Sequence, residues 1–246
     1  MAAKKKADAA VENTAEVTQE TTEQVQDTVE QMTEDNKKEL DNKKFVVDHL
    51  LSTKREGMED LIDYMEQIGF FEAPCSGGNH LACQFGLVHH SRNVMMAAEN
   101  IGYALLGKVK YEEIRDSVII AAALHDLGKC GDFGKQMYVP NILKSGKASE
   151  AKPFKRNPAL LPLDHATRSI KLATLFIDLT EEEEFAIRYH DGLYESANYG
   201  VKGHETALYL ILHYADLWSS RITEGSTDEG LSLIHISEPT RHAQIS

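Results

Sequence analysis

Val118-Ile-Ile-Ala-Ala-Ala-Leu124-His125-Asp126-Leu-Gly-Lys129 is apolar for seven residues and then turns abruptly polar. A helix with no polar face belongs at the centre of a bundle. Gly128 and Gly131 follow, as glycine does just past a helix C-terminus, so the stretch reads as a central helix from Tyr111 to about Leu127. His125 and Asp126 therefore close a buried helix, where an unpaired imidazole or carboxylate is costly. Both need partners, and one divalent cation would satisfy the pair.

Working outward, the pattern is helical almost throughout residues 43–225, and the fold class is all-α. Upstream, a long helix is expected from Leu87 to about Leu106. Before it, Met58, Leu61, Ile62, Met65 and Ile68 form one apolar face at i, i+3, i+4 spacing, and Lys43–Leu51 reads as a short helix. Phe70 to Gly86, with Pro74 and Ser76-Gly-Gly-Asn79, reads as a loop. Downstream, helices are expected at Leu163–Ile177, Thr180–Tyr189 and His204 to about Ile222. Between 132 and 161 the pattern is least regular, and Tyr138-Val139 with Lys152-Pro-Phe154 suggests a small β-hairpin insertion. Lys144, Lys147 and Lys152 in that stretch read as a plain surface loop, with a mobile lid over substrate as the alternative. Thr180 with Glu183 is a capping-box pair, which accounts for the acidic run Glu181–Glu184 without invoking a binding patch.

Two segments fall outside this fold. Residues 1–42 are polar and lack any aromatic residue, so they read as a disordered or weakly helical tail; Val11, Val25, Val29 and Met32 do not sustain a heptad. Leu231-Ser-Leu-Ile-His-Ile-Ser-Glu-Pro-Thr-Arg241 reads as translated adapter sequence from library preparation. The natural chain is then expected to be cut near Gly230, and 231–246 is excluded from the fold along with His235 and His242.

The chain has 246 residues and 42% hydrophobic content, enough for one sizeable core. No apolar run reaches the roughly 18 to 20 residues that cross a bilayer, and no apolar stretch follows the N-terminal lysines, so a cytoplasmic protein without a membrane partner is expected. A net charge of −13 argues against bulk coating of nucleic acid, though not against a local basic pocket. The three cysteines, Cys75, Cys83 and Cys130, include no Cys-x-x-Cys pair and suggest neither disulfides nor a thiolate zinc cage.

Asp216 interrupts the apolar run Leu208–Ala215 just as His125-Asp126 interrupts its own, and His90 lies early on the helix that begins near Leu87. Imidazole nitrogen with carboxylate oxygen suits Mn, Fe, Zn, Co or Ni. Taken in order, His90, His125-Asp126 and Asp216 resemble the HD (His-Asp) superfamily of metal-dependent phosphohydrolases. The supporting pieces are Gly86-Leu-Val-His-His90-Ser, His125-Asp-Leu-Gly-Lys129, Asp164-His165, Tyr189-His190-Asp-Gly192 and His213-Tyr-Ala-Asp216, spread over about residues 68–222. With Ala73-Pro-Cys-Ser-Gly-Gly-Asn-His80 ahead of them, they look most like the HD domain of bacterial 3′-to-5′ exoribonucleases. Those enzymes carry an OB domain before it, whereas a short polar tail stands there in this chain. A nucleotide substrate, or a free-standing HD enzyme of phage or bacterial origin, is therefore equally open.

The resemblance implies an HD helical bundle with two divalent cations (Mn, Fe, Mg, Ni, Co or Zn). Asp126 would bridge them, His90, His125 and Asp216 would complete the first, and His165 and His190 would hold the second. It implies a metal-activated hydroxide attacking a phosphoester of a nucleotide or a nucleic-acid 3′ end. Lys129 would neutralise phosphate charge, while His80, Arg92 and Arg168 are candidates to contact substrate. His90 is preferred to His89 because Ser91 follows it; His213 is read as support for a ligand, and Asp191 as a turn residue in preference to a general acid or a partner of His190. Two alternatives stand: a mononuclear nucleotidase or triphosphohydrolase in which His165 and His190 only touch substrate, and a non-catalytic nucleotide-binding HD domain. Oligomeric state is not legible.

Overall fold

The computed structural model describes residues 37–225, so the expected tail up to residue 36 and the 231–246 segment lie outside the described residues. The chain divides into two compact units after Lys44. In the first, residues 37–44 are helical, so helix is present within what the sequence suggested was tail. Among the described residues the second unit is helical with one two-stranded antiparallel sheet. No described helix is long and apolar enough to cross a membrane.

Val118 to Leu124 are all buried, as an all-apolar helix requires. They end α3 (Gly86–Leu124), which follows α1 (45–52) and α2 (Met58–Gln67). The two helices expected here are joined end to end through Gly107, whose φ of 72° and ψ of 165° break the helical path. Only a residue without Cβ adopts that geometry at little cost. Helical hydrogen bonding ends three residues sooner than expected. His125 is still αR, Asp126 sits at φ −105°, ψ 6°, and Leu127–Cys130 form a tighter 3-10 turn.

That turn is the seat for α4 (His165–Ala173). A Cβ on Gly128 would stand 2.2 Å from the backbone oxygen of His165 and 2.9 Å from the nitrogen of Ser169, so glycine is what lets the two backbones meet. The junction is tied by Ser169, whose hydroxyl accepts from the Gly128 N–H at 2.7 Å and donates to the His125 carbonyl at 2.8 Å. Asp164 caps α4 by accepting from Thr167, both N–H (2.9 Å) and hydroxyl (2.8 Å), which makes His165 the first helical residue.

The expected hairpin forms with its second strand shifted from Lys152–Phe154: β1 (Tyr138–Pro140) pairs antiparallel with β2 (Phe154–Arg156), Val139 opposite Lys155. It lies on the Gly77-Gly78 loop, where the Phe154 N–H donates to the Gly77 carbonyl at 3.1 Å. α5 (Glu181–Tyr189) carries the full Thr180–Glu183 capping box. Glu183 is fully buried and takes a two-pronged bond from Arg55 at 3.0 and 2.7 Å, so the acidic run has a structural explanation. α6 (Ala207–Trp218) begins after its cap Thr206 and buries Leu208, Ile211, Leu212 and Ala215 on one face. A π-helical turn, Ser219–Thr223, follows and leads to Glu224.

Two outcomes follow. Gly128→Ala forces the α4 seat apart and should lower stability by about 1–3 kcal/mol in urea titration. Burial alone would raise the Glu183 carboxyl, but Arg55 and the Thr180 N–H hold it below its ordinary value. A depressed pKa stabilises the fold above the ordinary carboxylate range, and that contribution is lost as pH falls through the folded value. Glu183→Gln should therefore be less stable than the parent at neutral pH, with the gap closing in acid; an unchanged gap from pH 7 to pH 3 would contradict the assignment.

Candidate metal centre

The start of α3 supplies His90, its end supplies His125 and Asp126, and the start of α4 supplies His165. His190 follows α5, and Asp216 lies in the last turn of α6. On one side of Asp126, His90 Nε2 lies 3.1 Å from Asp216 Oδ1, 3.4 Å from Asp126 Oδ2 and 3.3 Å from His125 Nε2. His125 Nε2 is in turn 3.4 Å from Asp126 Oδ2 and 4.0 Å from Asp216 Oδ1. On the other side, His165 Nε2 lies 3.2 Å from both Asp126 Oδ1 and His190 Nε2, and His190 Nε2 is 3.8 Å from that same oxygen. Asp126 thus turns one oxygen to each group.

The histidine tautomers point the same way. His125 Nδ1 donates to the Ala122 carbonyl at 2.9 Å, His190 Nδ1 to the Ile187 carbonyl at 2.8 Å, and His90 Nδ1 to Glu224 at 3.0 Å. With Nδ1 a donor, each neutral ring presents an Nε2 lone pair to the centre. Lone pairs facing one another at about 3.3 Å repel unless a proton or a cation lies between them. Asp126 Oδ1, meanwhile, is buried and accepts no hydrogen bond. A buried carboxylate oxygen left this way is costly, and a cation would remove the cost. The residues therefore fit metal: buried groups of His and Asp with ligand atoms within 4.8 Å of one another could hold divalent ions.

This is a centre that could hold metal. Its electrostatics suit the purpose. Burial by itself would raise the Asp126 carboxyl, but the Lys129 ammonium at 2.6 Å and His125 hold it well below the usual carboxylate range, and it remains an anion. Burial and the His90 bond act on Asp216 in the same opposed way, with the same net lowering. Lys129, read from sequence as a phosphate partner, sits on Asp126 itself and also lines the cavity over the centre. That cavity, about 600 Å³, is bordered by His80, Tyr138, His190, Asp191 and Asp216.

His80 faces the centre's edge, with Nε2 3.3 Å from Cys75 Sγ and 3.7 Å from Glu224. Burial pushes the Cys75 thiol up to about 11, so it is a neutral neighbour to His80 at ordinary pH. Arg92 and Arg168 are not brought to the cavity. The Arg92 guanidinium lies 5.3 Å over the Phe45 ring; Arg168 is buried, donating to the Leu161 carbonyl at 3.2 Å and 3.8 Å from Asp132. In each case the helical turn that points the ligand inward points the arginine elsewhere. His89 is less buried than His90, and His213 donates to the His190 carbonyl at 2.7 Å.

Three residues were missed or misread. Asp191 is more than a turn residue, with its oxygens 3.6 Å from His165 Nε2 and 3.8 Å from His190 Nε2. Tyr138 reaches the cavity wall from the hairpin. Glu224, its side chain buried, is held by His90 and by the Asn93 amide at 2.9 Å. No periodicity marks a carboxylate placed by a π-helical turn. No protein-family model, curated protein or solved structure matches this chain.

Carboxylates behind ligand histidines orient the ring and raise its basicity. Glu224→Ala should weaken Mn binding about 10- to 100-fold by calorimetry with the helical circular dichroism unchanged; wild-type affinity would remove Glu224 from the centre.

Proposed function

We propose that the chain is a metal-dependent phosphohydrolase of the HD type, acting on a phosphoester of a nucleotide or of a nucleic-acid 3′ end. The observation that carries this reading is the two-sided Asp126 carboxylate, with His90, His125 and Asp216 on one oxygen and His165 and His190 on the other. Such a centre, when loaded, supplies Lewis acidity toward a phosphoryl group and water acidified into the neutral range.

The chain's own residues account for the rest. Asp126 and Asp216, both anions, balance cationic charge, and the hydrogen bonds on Nδ1 keep His90, His125 and His190 oriented without reorganisation during turnover. Lys129 holds a positive charge where the cavity meets Asp126, close to where a phosphate would sit. His80 and Tyr138 border the same space and can donate hydrogen bonds to phosphate oxygens.

One observation favours a single-cation variant of this chemistry. His165 Nδ1 is 3.9 Å from its nearest carboxylate, Asp164, so its ring lacks the Nδ1 bond that orients the other three, as suits a residue that contacts substrate. Metal counting separates the two, at two equivalents per chain or one.

Mn-loaded protein should hydrolyse dinucleotides or nucleoside phosphates, lose activity on chelation and regain it with Mn. Asp126→Asn should reduce turnover by about 10³-fold or more. Hydrolysis that persists after chelation and transfer to metal-free buffer refutes the proposal, as does a fully active Asp126→Asn.

A further inference from the structure

Beside the metal centre lies a second cavity of about 770 Å³, walled by aromatic and aliphatic side chains that a lone helical bundle has no reason to leave uncovered. Tyr214 and Trp218 come from one face of α6, Ala97 and Ile101 from α3, and Tyr194 from the turn after His190-Asp191. The aromatics are half or more exposed: Trp218 49%, Tyr214 53% and Tyr194 75%. Arg221 borders both this groove and the cavity over the metal centre, so the two adjoin at one cationic side chain.

From this juxtaposition we infer that the groove binds a nucleobase of the substrate whose phosphate lies at the metal centre. The inference rests on the phosphohydrolase reading for what occupies the adjoining cavity. The size lies within the range of small-molecule sites. Tyrosine and tryptophan faces stack on any base, and such stacking is worth about 1–3 kcal/mol per base, or roughly 5- to 150-fold in affinity. Arg221 stands where the linking phosphate would cross from groove to centre, able to pair with it or to stack on the base. A protein of net charge −13 gains little from general attraction to polyanions, so it needs local contacts of this kind to retain a base-bearing substrate.

The test uses a property of the sequence: Trp218 is the chain's single tryptophan, so fluorescence excited on the red edge, where the nine tyrosines do not absorb, reports this groove. Mn-loaded full-length protein is titrated with adenosine monophosphate, a dinucleotide and, as the base-free control, ribose 5-phosphate. The expected result is saturable quenching by both base-bearing ligands and none by ribose 5-phosphate. Tyr214→Ala, which keeps the reporter, should weaken nucleotide binding about 5- to 150-fold. It should leave hydrolysis of an abasic diester unchanged.

Equal quenching by ribose 5-phosphate, or no quenching by an enzyme that hydrolyses dinucleotides, overturns the groove and leaves the phosphohydrolase reading intact. Quenching by nucleotides in a protein with no metal-dependent hydrolysis has the opposite meaning: the groove stands as a nucleotide site and the hydrolase reading falls. Trp218 emission already blue-shifted and closed to acrylamide in the free protein also overturns the inference, because the chain itself then covers the groove.

Discussion

A carboxylate sealed inside a helical bundle, with each oxygen turned to a different pair of imidazole nitrogens, is the constraint around which this molecule is arranged. Asp126 is almost fully buried, and one of its oxygens accepts no hydrogen bond. Such a group destabilises a fold unless positive charge surrounds it. Here the charge comes from Lys129, and the geometry leaves places for more. The Nδ1 atoms of three of the histidines donate away from the centre, which leaves their Nε2 atoms facing its carboxylates.

The surrounding architecture keeps that arrangement from relaxing. A 3-10 turn after Leu124 gives Asp126 a backbone conformation outside the helix, and Gly128 within it lets α4 approach until His165 stands opposite. Gly192 has a similar part on the far side. At φ +57° it turns the chain after His190, and a Cβ there would meet the His213 ring at 2.4 Å. Two glycines at close approaches thus allow ligands from separate helices to share one point. Distant pieces also close on the centre: the turn after α6 returns Glu224 to His90, more than a hundred residues earlier in the chain.

The two adjoining cavities differ in kind. The one over the candidate metal centre is lined by charged and hydrogen-bonding groups, the other by aromatic and aliphatic ones, and Arg221 stands between them. A ligand that satisfies both has an anionic part joined to a flat apolar part. The overall acidity of the chain makes that local division matter more, since long-range attraction to an anion is weak or adverse.

Much of this was legible in the residues. The all-apolar run ending in His125-Asp126 announced a buried helix with a polar terminus, the Thr180–Glu183 pair announced a cap, and Asp216 stood out against its apolar helix, because burial and periodicity are local properties written in composition. Tertiary structure alone decided which atoms meet. It separated His90 from His89, set Arg92 over Phe45 and Arg168 against Leu161, and drew Asp191 and Glu224 toward the centre. The physical reason is one of range. A sequence pattern reports which face of its own helix a residue occupies, whereas a metal centre or a groove depends on where several such faces come to rest against one another.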